Sequence, residues 1–369
     1  VERLVQICDL PNAGESLSGF GLATIFHHLC VTNIQLRKEA FEGREVTMEQ
    51  YDEMQRMGKT EEEKELMDLE RDPDTNDLCK ERIRKVAAMN VPRGLVALVE
   101  GASEHTLEQI VLCMNRMAGE ESTRGVLIQQ GILSACIKVE KNEGPTETDT
   151  MKKVIRLARH TIAKMLVSTN PSLLTSAQRL GSIRPLVRLV RDIKASDLQQ
   201  FEALLAATNL ASSGEDAQNR IVSEKGIGAF HYAMFSDHHL VRRAATEAMC
   251  NLVPHKAMMD HLHETEHLRL WTGFASDYEE NYECARAAAG CLAMATQDEA
   301  IALEVASLEK FKDNMMAVME CGRLEIMHRA LAIIMNLVAH GGESKEKTIE
   351  AGFVTFCRAY VESFKNNEK

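Results

Sequence analysis

Length, composition and charge narrow the class of protein. The chain has 369 residues, of which 45% are hydrophobic and 27% are charged, and its formal net charge is -12. One hydrophobic core rarely serves so long a chain, so we expect several domains or an elongated array. No apolar run approaches the length of a membrane span, and the acidic balance argues against nucleic acid. We therefore expect neither a membrane nor a nucleic acid among the partners.

The first residues and the cysteines indicate the compartment. The chain opens on Val1 in VERLVQICDLPNAGE, which lacks the apolar segment of a secretory signal, and we expect an excerpt of a longer protein. The ten cysteines show neither a C-x-x-C pair nor the spacing of zinc ligands. Most lie in apolar helical patterns, where a thiol packs like a small hydrophobe. These features favour a reducing, cytoplasmic location.

Helical segments recur along the chain, with apolar residues three and four positions apart. In chain order they are IFHHLCVTN around His28, CMNRMAGEE around Asn115, KMLVSTNPS around Leu166, ATNLASSGE around Asn209, MCNLVPHKA around Asn251, GCLAMATQD around Leu292 and IMNLVAHGG around Asn336. From Asn115 onward the spacings are 51, 43, 42, 41 and 44 residues. This period predicts an all-α, armadillo/HEAT-like, right-handed superhelical solenoid of about seven or more helical repeats.

A charged insertion separates the first two of these segments. Residues 38–85 carry 16 acidic and 10 basic side chains, including the run KTEEEKELMDLERD. Opposite charges at four-residue spacing stabilise an exposed helix. We interpret the region as a solvated helical insertion, with a docking arm as the alternative.

Residues 151–194 are basic instead, with ten Lys or Arg and a single acid, Asp192. Two stripes at helical spacing define a predicted electrostatic patch: Lys152, Arg156 and Arg159 on one segment, and Arg184, Arg188 and Arg191 on the next. Like charges four residues apart repel, so the six need solvent, an internal acidic partner or an external one. The hypothesis is an external acidic surface, on a client or on a second copy of the chain. The alternative is screening by solvent and by the insertion.

Asparagine recurs at one position of the third helix of the repeats, at Asn115, Asn209, Asn251 and Asn336. It is a poor mid-helix residue whose amide both donates and accepts, so the repetition needs a reason. Either each amide ties its repeat to the next through a buried hydrogen bond, or the amides line a groove that binds a client. Charged residues one or two turns earlier complete that predicted groove, namely Glu202, Arg243, Glu247 and Arg329.

The stretch HETEH, residues 263–267, matches the H-E-x-x-H pattern of zinc proteases. That chemistry needs both histidines one turn apart on an intact helix. In sister repeats, glycines sixteen or seventeen residues after the asparagine mark helix ends, at Gly131, Gly226 and Gly352, and His267 has the same position after Asn251. We therefore expect a turn at His267, no catalytic residue and no metal site. His261, His263 and His267 would at most retain metal on a purification column.

The amino-acid sequences of the repeats resemble those of a known family. FEALLAATNLASSGEDAQNRIVSEKGI (201–227), HHLVRRAATEAMCNLV (238–253), and ARHTIAKMLVSTNPS with SIRPLVRLV (158–190) are similar to the UCS domain, named after Unc, Cro and She proteins. LCKERIRKVAAMNVPRGLVALVEG (78–101) resembles the helical region that precedes this domain in animal members. The resemblance implies two domains: a central or neck armadillo-like region, 1–150, and the UCS domain, 151–369.

The resemblance also implies a function. Members of this family are chaperones or co-chaperones that fold, protect or assemble the myosin motor domain. Longer members dock the ninety-kilodalton heat-shock chaperone through a tetratricopeptide domain, which we do not find in this sequence. The alternative is a generic armadillo adaptor that binds an extended peptide. Such adaptors often carry tryptophan four residues before the asparagine, whereas here those positions are Val111, Leu205, Glu247 and Ala332. The resemblance implies no cofactor and no enzymatic activity.

Overall fold

The computed structural model describes residues 1–41, 47–60, 63, 75–144 and 148–367. All regular secondary structure within these ranges is helical, as the repeat pattern predicted. The chain divides into two compact units, residues 1–169 and 170–369. None of the described helices has both the length and the apolar character that a membrane span requires.

The first unit is a stack of short helices. They are α1 (Glu2–Cys8), α2 (Leu17–Leu29), α3 (Asn33–Phe41), α4 (Met48–Arg56), α5 (Asn76–Ala88), α6 (Val91–Leu98), α7 (Glu104–Ala118), α8 (Arg124–Gln129), α9 (Ile132–Glu140) and α10 (Asp149–Leu166). The centre of the unit is α7, which packs against both α2 and α10 and buries Ile110, Met114 and Met117 completely. Serine or threonine side chains cap several of these helices: Ser103, for example, accepts from the backbone N–H of Thr106 at the start of α7.

The second unit repeats one arrangement of helices. They are α11 (Ser176–Gly181), α12 (Ile183–Arg191), α13 (Asp197–Ala211), α14 (Glu215–Ser223), α15 (Gly226–Ala233), α16 (His239–Cys250), α17 (Lys256–Leu262), α18 (Thr265–Ser276), α19 (Tyr282–Ala295), α20 (Glu299–Ala306), α21 (Phe311–Glu320), α22 (Leu324–Ala339), α23 (Gly342–Glu350) and α24 (Phe353–Asn367). The third helices α13, α16, α19 and α22 pack side by side in that order, and α12, α15, α18 and α21 each pack on the third helix that follows. Buried alanines, such as Ala244, Ala248 and Ala288, let these helices approach closely.

The boundary between the units lies at residues 169 and 170, rather than at the 150/151 boundary expected from the sequence resemblance. The reason is α10, which packs on α7 and α9 of the first unit. The position of the UCS domain boundary stays a prediction. Much of the charged insertion, residues 42–46, 61–62 and 64–74, lies outside the described residues. Its described part includes α4, which begins with a reciprocal pair of hydrogen bonds between Thr47 and Gln50.

The helix-ending glycines confirm two of three expected turns. Gly131 and Gly352 have φ of 93° and 89°, the left-handed conformation that glycine adopts without steric cost. In the third repeat the sequence reading was wrong by one residue, because Lys225 takes the left-handed conformation, with φ of 63°. Gly226 is instead the first residue of α15. A Cβ there would lie 2.4 Å from Ile221 Cγ2, so this glycine permits a close approach between α14 and α15.

Candidate functional site

A groove crosses three consecutive third helices of the second unit. Between α16, α19 and α22 lies a cavity of about 660 Å³. Its lining residues are Thr208, Glu247, Cys250, Asn251, Arg286, Ala287, Gly290, Ala293, Met294, His328, Arg329 and Ala332. Three of the predicted groove residues, Glu247, Asn251 and Arg329, therefore line one cavity, and Arg243 joins them through an ion pair with Glu247.

Two of the predicted asparagines in this unit tie neighbouring repeats together. Asn251 caps the C-terminal end of α16, and its Nδ2 donates to the carbonyl oxygen of Thr208 at 3.2 Å. Asn336 Nδ2 donates to the carbonyl of Ala293 at 2.9 Å and to Thr296 Oγ1 at 3.0 Å. Each amide thus satisfies polar groups of the preceding repeat, which is the structural role the sequence left open. A role of the same amides in client binding stays a prediction.

The other two asparagines differ. Asn115 is 5% exposed and belongs to the first unit, where its Nδ2 donates to Thr161 Oγ1 at 3.1 Å and its Oδ1 accepts from Lys164 Nζ at 2.8 Å. Both partners lie on α10, so Asn115 is an internal tie between α7 and α10. Asn209 and Glu202 are half-buried on α13, and both make further polar or ring contacts.

A network of alternating charges begins in the groove at Glu247 and Arg286 and extends beyond the cavity lining. Its ion pairs are Arg243 Nε to Glu247 Oε1 (3.2 Å), Arg286 Nη2 to Glu247 Oε1 (3.5 Å), Arg286 Nε to Glu283 Oε2 (2.9 Å), Arg243 Nη2 to Glu283 Oε2 (3.8 Å) and Arg286 Nε to Glu325 Oε2 (3.9 Å). All five side chains remain between 20% and 62% exposed. Because water still reaches these groups, the pairs contribute little to stability and stay available to a ligand.

The floor of the groove is open because its residues are small. Ala287, Gly290 and Ala293 occupy successive turns of α19. Arg329 reaches across from α22 and donates from Nη1 to the carbonyl oxygen of Arg286. Burial raises the pKa of the Cys250 thiol beside this floor to about 11, so the sulfur stays protonated and unreactive at neutral pH. The cavity is thus built for binding through amides, charges and backbone.

Sequence reasoning missed Arg286, Met294 and His328, which line the same cavity. The repeat that contains Arg286 has Leu292 where its neighbours have asparagine, so the asparagine pattern did not point to it. A signal was nevertheless present. Arg286 lies 43 residues before Arg329, close to one repeat period, and the Arg329 guanidinium donates to the Arg286 carbonyl oxygen on the adjacent helix.

The predicted electrostatic patch is wrong at Arg159. This side chain is 7% exposed and pairs internally with Glu140 Oε1 at 3.0 Å and Glu143 Oε1 at 2.8 Å. A buried guanidinium requires carboxylate partners, and α9 and the turn after it supply them. Lys152 is exposed and pairs with Asp149 at 3.3 Å, and Arg156 is half-buried. The stripe on the first unit therefore has no continuous exposed positive face.

The stripe on α12 of the second unit is more accessible. Arg184 and Arg188 are half-buried and Arg191 is exposed, while Leu186 and Leu189 on the same helix are completely buried. The amphipathic helix predicted for SIRPLVRLV is confirmed. A role of its arginines in binding an acidic surface stays a prediction.

The HETEH stretch is divided between two helices. His263 caps the end of α17, Glu264 has extended backbone, and α18 begins at Thr265. The stretch does contain a break, but the expected turn at His267 is wrong, because the break falls at His263 and Glu264 and His267 lies in the first turn of α18. His263 Nδ1 instead lies 3.4 Å from Glu304 Oε1. The two histidines of the pattern therefore do not share one helix face.

Three other histidines converge near this break. His231, His261 and His267 have ring nitrogens that all lie within 4.8 Å of one another. His231 lies on α15, thirty residues before His261 in sequence, and the sequence analysis did not find it. Burial, together with the neighbouring histidines, lowers the pKa of His261 to about 4. Burial and His267 also lower the pKa of His231.

Comparisons with known proteins agree with this architecture. Protein unc-45 homolog B of Xenopus laevis is 30% identical over 289 residues, which cover 75% of this chain and 30% of that protein. The solved structure of UNC-45 from Drosophila melanogaster matches with a TM-score of 0.73 and 25% identity, covering 94% of this chain and 41% of that one. A structure described as the myosin chaperone UNC-45 from C. elegans with a Hsp70 peptide has a TM-score of 0.72 and 24% identity, covering 93% and 34%.

No family model matches the chain. A computationally designed armadillo repeat protein for modular peptide recognition matches with a TM-score of 0.50 and 17% identity, over 79% of this chain and 98% of that one. The helices and their packing thus define a helical-repeat protein of the armadillo type. Its homologues are UNC-45 proteins, and the resemblance to the UCS family drawn from the sequence is confirmed. The chain spans about 30% of the length of the Xenopus relative.

Proposed function

We propose that the protein is a myosin chaperone or co-chaperone that binds the motor domain of the myosin heavy chain in the groove of the second unit. In doing so it promotes folding, protection and assembly of the motor in muscle or the cytoskeleton. The observation that carries the proposal is the cavity between α16, α19 and α22, in which Glu247, Asn251 and Arg329 converge. The relatives support it, since UNC-45 of C. elegans is described as a myosin chaperone.

The groove suits a partly folded client for physical reasons. An extended or unfolding segment exposes backbone N–H and C=O groups that are no longer paired within its fold, and these groups need partners wherever binding removes them from water. Asn251 Oδ1, the guanidinium of Arg329 and the carboxylate of Glu247 offer acceptors and donors along one cavity wall. The guanidinium of Arg329 lies over Gly290, 3.5 Å from where a Cβ on that residue would be, so the small floor positions this charge in the cavity. Binding would shield the segment from aggregation without any covalent step.

A peptide adaptor of the transport-receptor kind is the alternative. Such a groove relies on tryptophans that stack along the client, but the single tryptophan of this sequence, Trp271, is completely buried. Glu247 occupies the corresponding position in one repeat and is held by two arginines. These observations favour a charged groove for a folded or partly folded surface.

The proposal includes further partners and a location. A heat-shock chaperone is a further proposed partner. Longer members of the family dock the ninety-kilodalton one through a tetratricopeptide domain, and UNC-45 of C. elegans is described in complex with a Hsp70 peptide. Action by binding, without catalysis, is consistent with the division of HETEH between two helices. The cysteine usage of the sequence supports the cytoplasm as the location.

The proposal is tested by charge reversal in the groove. Glu247→Lys would oppose Arg243 and Arg286 and reverse the charge that the wall offers to a client. We expect it to weaken binding of a purified myosin motor domain about tenfold, equivalent to about 1.4 kcal/mol. We also expect it to reduce protection of the heated motor domain in light scattering. The matched control is Glu343→Lys, because Glu343 is also paired with a basic residue four positions away, but lies on α23.

Equal loss in the two variants, or normal protection by Glu247→Lys, would contradict the groove assignment. Circular dichroism melting shows whether either variant is unfolded. Sedimentation of the protein alone separates client binding from self-association, since a second copy in the groove would produce dimers that Glu247→Lys dissociates.

A further inference from the structure

Three histidines from two neighbouring repeats meet in one small cluster. His231 lies on α15, His261 on α17 and His267 on α18. The rings of His261 and His267 stack with centroids 3.9 Å apart, and the His231 ring meets them edge-on at 4.9 Å and 4.7 Å. All three residues are half-buried, so the cluster is held by the fold and remains open to solvent.

The closest pair of nitrogens already has the spacing of metal ligands. His261 Nε2 lies 3.3 Å from His231 Nδ1. A tetrahedral zinc ion with bonds of about 2.0 to 2.1 Å to imidazole holds its ligand atoms about 3.4 Å apart. An ion could therefore replace the hydrogen bond between the two rings while their separation stays nearly unchanged. One ring nitrogen from each of the three histidines lies within 4.8 Å of the other two, so small side-chain rotations complete the set.

The third histidine is oriented by its own backbone contact. His267 Nδ1 lies 2.7 Å from the carbonyl oxygen of His261. A carbonyl oxygen only accepts, so Nδ1 must carry the proton, and the lone pair of the neutral ring is on Nε2. A hydrogen bond from one ring nitrogen to a backbone carbonyl is the usual way in which proteins fix a metal-binding histidine. Glu264 Oε2 lies 3.5 Å from the same Nδ1, so a carboxylate is also close to the ring nitrogen that would not bind the metal.

We propose that His231, His261 and His267 form a binding site for a divalent transition-metal ion, zinc in the first instance. Three imidazoles are a borderline-soft donor set, which suits zinc, copper and nickel and does not suit magnesium or calcium. Water would fill the fourth position. The site shares His267 with the zinc-protease pattern but excludes His263, which is directed to Glu304. It is also separate from the groove proposed for the client.

The location of the cluster gives the ion a mechanical role. The ligands belong to three helices, so a bound ion would fix α15 to the pair α17 and α18. A ligand that binds only the folded state stabilises it in proportion to the logarithm of its concentration over Kd. At zinc about a hundredfold above Kd, we expect the melting temperature of the second unit to rise by about 5 to 10 °C.

The test uses the full chain without a histidine tag, dialysed against a chelator and then titrated calorimetrically with zinc chloride. We expect one zinc per chain, the predicted rise in melting temperature, no effect of magnesium chloride, and the visible absorption of tetrahedral cobalt(II) when cobalt replaces zinc. Loss of an outer contact to a ligand weakens metal affinity about 10- to 100-fold, so loss of a ligand in His231→Asn or His267→Asn should weaken it at least as much.

The matched control is His263→Asn, which removes a histidine of the same stretch that lies outside the cluster. It should keep wild-type zinc binding. Copper that binds more tightly with the same dependence on His231 and His267 would support the site without identifying its metal, because copper(II) binds nitrogen ligands more tightly than zinc in general. The proposal is overturned by absence of stoichiometric binding to the wild type. Equal loss in His263→Asn, or full binding by well-folded His231→Asn and His267→Asn, would also overturn it.

Discussion

Arg159→Met is the sharpest test of how the basic residues are used. In the structure Arg159 is buried between Glu140 and Glu143, with N–O distances of 3.0 and 2.8 Å. Methionine retains most of the aliphatic volume of arginine but removes the charge. The carboxylate of Glu140, only 2% exposed, then loses its guanidinium.

The magnitude follows from this burial. Removal of one partner from a buried ion pair costs about 3 to 5 kcal/mol, because a buried charge loses its compensation. Glu140 has additional contacts, so we expect the lower end, about 3 kcal/mol. For a unit of this size, that corresponds to a fall in melting temperature of about 6 to 12 °C. Adding Glu140→Gln, which removes the buried charge, should recover part of the loss.

Differential scanning calorimetry of the first unit within the full chain measures this effect. The control is Lys152→Met, since Lys152 is exposed and pairs with the exposed Asp149. Surface pairs of this kind contribute about 0 to 1 kcal/mol. Unchanged stability of Arg159→Met together with weaker client association would refute the internal role and restore Arg159 to the electrostatic patch.

Three further predictions concern the second unit. Asn336→Ala should lower the free energy of unfolding by about 1 to 3 kcal/mol in urea titrations, because its amide bridges two acceptors of the preceding repeat; an unchanged value would contradict the tie. Gly226→Ala should cost about 1 to 3 kcal/mol through overpacking, whereas Gly228→Ala, with no atom within 4 Å of the added Cβ, should not destabilise the unit. Arg184→Glu with Arg188→Glu should slow client association at low salt and leave folding intact; association insensitive to both changes would make this stripe solvated surface.

The repeat fold was predictable because its signal is periodic. Helical spacing of apolar residues and a recurrence near 42 residues can both be read from the sequence itself. The helices and their repetition are therefore predictable before any tertiary contact is known. The break in HETEH followed from the same phase, within a few residues. Its offset, like the one-residue offset at Gly226, shows that the repeat period locates a turn only to within a few residues.

Side-chain partners across the repeats were not predictable in the same way. Arg159 has the spacing of an exposed stripe, and only the position of α9 shows that it is buried. His231 is thirty residues from His261, so its convergence with the other histidines depends on the packing of α15 against the next repeat. Arg286 was not predicted as a groove residue because its repeat lacks the asparagine from which the groove positions of the other repeats were identified. Periodicity identifies faces of helices, whereas contacts between repeats require their geometry.

Site-specific photo-crosslinking tests the central claim most directly. Met294 lies in the groove and is 37% exposed, whereas Ile349 on α23 is 48% exposed and lies outside the cavity lining. A photoreactive phenylalanine would be placed at each position in turn, and each protein irradiated with a partly unfolded myosin motor domain. The account predicts an abundant crosslink from position 294, reduced by Glu247→Lys, and little from position 349. Equal crosslinking from both positions, or none from position 294 while the chain still protects the motor domain, would contradict it.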